Sequence, residues 1–198
     1  LLLGFYVIFH PFNGYWALKG EKRGGVRSAT ILLALACLTQ AIAAAASGVP
    51  SGDEEASVGS GVLNLLAPLL LWCIANTCFT SLMDGKGSFR DVYVAVGTST
   101  LPVTLLVLPC TVVSHFLILE ELPILAMVTN VAYIWMAALI FFSMITVHDY
   151  TLGKNVLVSI LTVLGMAFIL FLLFIFVSLI GRMISLVSAV GTELSLRT

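Results

Sequence analysis

Residues 155–181 read NVLVSILTVLGMAFILFLLFIFVSLIG, 27 positions without one Asp, Glu, Lys or Arg. About 20 apolar residues suffice for a helix to cross a hydrocarbon core of roughly 30 Å. The run does not alternate in polarity, as a barrel strand would over about ten positions. It is apolar on every face, which suits a helix surrounded by lipid. Four further charge-free runs precede it, at 28–52, 56–83, 92–119 and 122–148. The five runs predict spans near 28–47, 61–82, 92–115, 122–146 and 155–181.

Composition agrees. Charged residues make up 10% of the chain and hydrophobic ones 60%, with a mean hydropathy of +1.12. A soluble domain carries about 25% charged residues, so this surface is built for lipid. The net charge of −1 gives no basic balance that would point to nucleic acid. Cys37, Cys73, Cys78 and Cys110 all lie inside apolar runs and form no CxxC pair, so they read as small buried hydrophobes. The sequence implies no metal and no cofactor.

The fold class expected is therefore an all-α integral membrane protein. It has five complete transmembrane helices plus the end of an N-terminal sixth, because Leu1 to Phe9 are apolar and read as the end of an incoming helix. The expected organisation is that helix end over 1–9, an interfacial segment over 10–27, the five-span domain over 28–182 and an outer extension over 183–198. The apolar character of Met183 to Val187 suggests that this extension is covered by a partner or by the membrane interface.

Basic and acidic loops alternate. Lys19, Lys22, Arg23 and Arg27 precede the first span, Lys86 and Arg90 follow the second, and Lys154 follows the fourth. Asp53, Glu54 and Glu55 follow the first span, and Glu120 and Glu121 the third. Excess Lys and Arg mark cytoplasmic loops. The basic loops are expected in the cytoplasm and the C-terminus outside.

Residues 10–27 mix Phe12, Tyr15 and Trp16 with Lys19, Lys22, Arg23 and Arg27. Such a mixture fits a short amphipathic helix on the membrane surface, touching lipid headgroups or a partner, or merely setting helix depth. The third span holds Thr98, Thr100, Pro102, Thr104 and Pro109. Proline frees a backbone carbonyl that Thr can partly satisfy, so this helix is expected to be kinked or broken. A broken span can mark a transport site or a pore, and it can equally be a static kink. Ionisable groups deep in the membrane default to functional candidates, but here His115 and His148 fall only at span ends. Asn64, Asn76, Asn130 and Gln40 are explained by hydrogen bonds between helices. No HExxH, GxSxG or phosphate-loop pattern occurs, and no catalytic residue is assigned.

The turn Gly85-Lys86-Gly87-Ser88-Phe89-Arg90, followed by Val94 to Gly97 and Leu101-Pro102, resembles the Yip family. His10-Pro11-Phe12 through Trp16 and Thr146 to Lys154 are similar to the family's segments before its first and last spans. The resemblance covers about residues 10–182. It implies five spans and no established catalytic residues, with Gly85, Gly87 and Phe89 as the family-motif turn. Eukaryotic members interact with Rab GTPases through a long cytoplasmic N-terminal region that is not seen here. The bacterial branch fits better, and some of its members lie beside ABC-type sugar importers. The function expected is a non-enzymatic scaffold or accessory subunit in a bacterial cytoplasmic membrane, with the lipid bilayer and other membrane protein subunits, an ABC permease among them, as partners. A stand-alone transporter or channel through the third span, and a lipid-organising protein acting through residues 11–27, are the alternatives.

Overall fold

In a computed structural model, residues 2–20, 25–46, 58–118 and 120–197 are described, without side chains for 2, 3, 20, 46 and 189–197. Eight helices run through them: α1 (Leu2–Phe9), α2 (Pro11–Gly20), α3 (Val26–Ala46), α4 (Val58–Leu82), α5 (Phe89–Ser99), α6 (Leu101–Val113), α7 (Leu122–His148) and α8 (Leu152–Arg197). No strand occurs among the described residues. Five helical stretches are long and apolar enough to cross a membrane, with α5 and α6 together making the third. The chain is an all-α, multi-pass membrane protein. Arg27, Lys86, Arg90 and Lys154 gather at one end of the bundle, called the basic end below.

The third span is the axis of the bundle. Its most apolar stretch is 56% buried, against 6% for α8. It packs on α3, α4 and α7, with α1 alongside. Close approach is possible because Gly97 faces Ala29: a Cβ on Gly97 would sit 2.9 Å from the Ala29 carbonyl oxygen. The span divides at Thr100, two residues before Pro102, which has no N–H to donate to the preceding turn. The hydroxyls around the break turn back on their own helix. Thr98 donates to the Val94 carbonyl at 2.7 Å, Ser99 to Ala95 at 2.8 Å and Thr100 to Gly97 at 2.8 Å.

Residues 11–20 are where the structure departs most from a surface segment. A corner at His10–Pro11 separates α1 from α2, and Gly14 lies so close to Val7 that a Cβ would come within 2.9 Å of the Val7 Cα. From there α2 runs beside α7, with Phe12 against Phe142 and Lys19 at the end of α7. Tyr15 is 1% exposed. Its hydroxyl bonds Ser99 at 2.6 Å, giving the phenol a polar partner inside the bundle.

The last helix joins the bundle by its first turns only, mainly on α4 and less on α7. It continues unbroken through the expected boundary at 182. At about 1.5 Å per residue, its 46 residues reach about 69 Å, more than twice the hydrocarbon thickness. All side chains from Leu170 to Val187 are exposed.

Candidate functional site at the basic end

Three segments distant in sequence meet at the basic end: the end of α2, the turn between α4 and α5, and the junction of α7 with α8. Each is shaped by local chemistry. Asp149 ends α7 in the left-handed region at φ 54°, a conformation that Asp tolerates better than most residues. Asp84 does the same after α4 at φ 53°. Ser88 opens α5, and the Asp91 carboxylate accepts from the Ser88 N–H at 3.0 Å and its hydroxyl at 2.7 Å. This closes the helix start in the manner of a capping box.

The glycines of the turn are dictated by proximity. A Cβ on Gly85 would lie 2.7 Å from both His148 Nδ1 and Tyr150 Oη, and 2.9 Å from Thr80 Cβ. One on Gly87 would lie 3.0 Å from the Val147 carbonyl oxygen and from His148 Cε1. The Gly87 N–H donates to His148 Nδ1 at 3.3 Å. His148 is 1% exposed and stacks on Tyr150 with ring centroids 5.3 Å apart. The Tyr150 hydroxyl donates to the Met83 carbonyl at 3.1 Å, which ties α8's approach to the end of α4. Lys154 sits 4.7 Å from the centroid of the Tyr150 ring, within cation–π range. Burial pushes the Tyr150 phenol above its usual pKa, and the charge of Asp84 adds to the effect.

Lys19 completes the cluster. Its ammonium donates to the Val147 carbonyl at 2.7 Å and lies 4.0 Å from Asp149. Lys86 pairs with the same Asp149 carboxylate at 3.2 Å. The hydrogen bond from Lys86, followed by the charge of Lys19, holds the Asp149 carboxyl below the usual carboxylate range. The arrangement joins α2, α7 and the α4–α5 turn through charges of both signs. Among the described residues no group of three His, Cys, Asp or Glu could hold a metal ion.

This turn-and-latch geometry is what the matched family model spans, from residue 5 to residue 190: the Yip1 domain. The chain belongs to the Yip1 domain family. No curated protein and no solved structure matches it. The Yip1 domain here includes α1 and α2 from Phe5 on, so the segment before the first full span is part of the domain.

The residues singled out in the sequence fall in three places. Gly85 and Gly87 pack on the end of α7, while Phe89 is 48% exposed at the start of α5. Of the proposed surface contacts, Phe12, Trp16 and Arg27 are exposed, Tyr15 is buried and Lys19 is committed to α7. Lys22 and Arg23 lie outside the described residues. Of the proposed kink or pore residues, Thr98, Thr100 and Pro102 are buried in the middle of the bundle. Thr104 is half-buried with its hydroxyl unpaired among the described residues, and Pro109 is exposed. The sequence places Lys19 in the interfacial segment and His148 and Asp149 at the end of the fourth span, and no pattern in it connects the two.

Proposed function

We propose that this Yip1 domain is a non-enzymatic membrane scaffold of the bacterial branch, acting as an accessory subunit of a larger complex in the cytoplasmic membrane. The basic end would face the cytoplasm. The observation that carries the reading is α8: from Leu170 to Val187 its side chains are all exposed on a helix longer than a bilayer is thick. Lipid can cover part of that length. Apolar side chains such as Ile184, Leu186 and Val187, at 64%, 67% and 68% exposure, are suited to the spans of a neighbouring subunit. The basic end supports the same reading, because Lys19, Lys86 and Lys154 are engaged within the chain rather than gathered around an open cleft.

Purification of the full-length protein in mild detergent tests this, with mass spectrometry of what remains bound. Other membrane subunits in fixed ratio support the scaffold reading, and permease and ATPase subunits would assign it to an ABC-type importer. A lone, stable species overturns it. Transport through the third span has less support, since Thr98 and Thr100 spend their hydroxyls on their own backbone.

A further inference from the structure

The basic half of the interface between α4, α7 and α8 is unusually polar for a membrane domain. Asn155, Ser159 and Thr162 stand four and three residues apart on α8, a spacing that puts them on one face. Opposite them is Asn76 of α4, whose Nδ2 donates to Thr162 Oγ1 at 3.3 Å. Thr162 in turn donates to the Val158 carbonyl at 2.8 Å, and Asn155 Nδ2 donates to the Phe141 carbonyl of α7 at 3.0 Å.

These bonds use only part of the polar capacity. Asn76 Oδ1, Asn155 Oδ1 and Ser159 Oγ are buried without a partner among the described residues, and so is Nε2 of His148 at the end of α7. Asn76 and Asn155 are 0% exposed and His148 is 1% exposed. Because His148 Nδ1 accepts from Gly87, the Nε2 is the nitrogen that carries the proton and must donate. Folded proteins leave few buried polar groups unpaired, and in lipid the cost of doing so is at its highest. Three of these groups, on Asn76, Asn155 and Ser159, share the basic half of the seam that α8 makes with α4 and α7.

We propose that this interface is a hydrated site inside the membrane domain, open to water from the basic end, with ordered water bound by Asn76, Asn155 and Ser159. Water is the ligand class that fits. The amide oxygens need a donor, and the serine hydroxyl can be either donor or acceptor. Beyond Thr162 the seam closes, because Gly165 packs so tightly on the Phe79 ring that a Cβ there would run into it.

Thiol chemistry tests the proposal, because methanethiosulfonate ethylammonium reacts with thiolates formed in water and hardly at all in lipid. In a reconstituted full-length variant whose four native cysteines are replaced, Ser159→Cys should react at least about tenfold faster than Val163→Cys, a lipid-facing control. Equal rates would overturn the idea. A second measurement needs no cysteine replacement. Ser159→Ala should lower the melting temperature if the hydroxyl is bound to water, and a temperature unchanged or raised would mean a dry, unpaired group and would also refute the site.

Discussion

The Lys19 ammonium lies 2.7 Å from the carbonyl oxygen of Val147, a contact that joins residues 128 positions apart. It places a positive charge at the C-terminal end of a 27-residue helix, where the last carbonyls lack helical partners and the macrodipole favours a cation. Lys19→Met keeps the apolar stem and removes the charge. The substitution should cost about 1–2 kcal/mol, the range for a charge-assisted hydrogen bond in a partly screened setting. In a thermal melt of the detergent-solubilised protein this would appear as a loss of a few degrees.

The same latch sets a pH dependence through Asp149. Its folded pKa is depressed, by Lys86 first and Lys19 second. A depressed carboxylate stabilises the fold fully above its unfolded pKa of about 3.9, and that stabilisation is lost as pH falls through the lower folded value. Melting temperature should therefore hold steady from pH 7 to about 5 and fall in more acidic buffer. Asp149→Asn should start lower at pH 7 and lose the part of the acid slope that Asp149 supplies. Parallel slopes in the two proteins would remove Asp149 as its source.

Glycine substitutions separate packing from mere conformational preference. Gly85 and Gly87 would drive a Cβ into His148, Tyr150 and the Val147 carbonyl, whereas no described residue lies within 4 Å of a Cβ on Gly153. Overpacking of this kind costs about 1–3 kcal/mol. Gly85→Ala and Gly87→Ala should each lower the yield of monodisperse protein and its melting temperature. Gly153→Ala, in the first turn of α8, should be neutral or stabilising by up to about 1 kcal/mol. Size-exclusion profiles and melts of the three variants side by side decide the matter.

The sequence carried the spans well because lipid exposure leaves a coarse record: a charge-free run long enough to cross a membrane needs no partner to be recognised. The break at Thr100 was legible for the same local reason, since Pro102 removes a backbone donor. Hydrogen bonds between spans were foreseen for Asn76 and Gln40, which reach Thr162 and Tyr133. Asn64 and Asn130 were assigned the same role but are exposed on their helices. What sequence pattern hides is pairing across long separations. Tyr15 and Trp16 are neighbours with similar interfacial character, yet one is buried on Ser99 and the other is 63% exposed. The role of His148 was invisible because its partner is a backbone N–H, which every non-proline residue possesses.

Gly181 offers a way to probe the exposed half of α8 without disturbing the bundle. Among the described residues nothing lies within 4 Å of a Cβ placed there, and the surrounding Ile180, Met183 and Ile184 are exposed. Close packing between membrane helices depends on small residues that let backbones approach. If a neighbouring subunit packs on this face, Gly181→Leu should reduce its recovery in a mild-detergent purification. The melting temperature of the chain itself should stay within about 1 °C, because surface changes away from packed features shift stability by only about 0.5 kcal/mol. Recovery that is unchanged, with the leucine in place, would mean that this face of α8 meets lipid alone. A loss of both partner and melting temperature would instead place Gly181 in the chain's own packing, contrary to the open space around it.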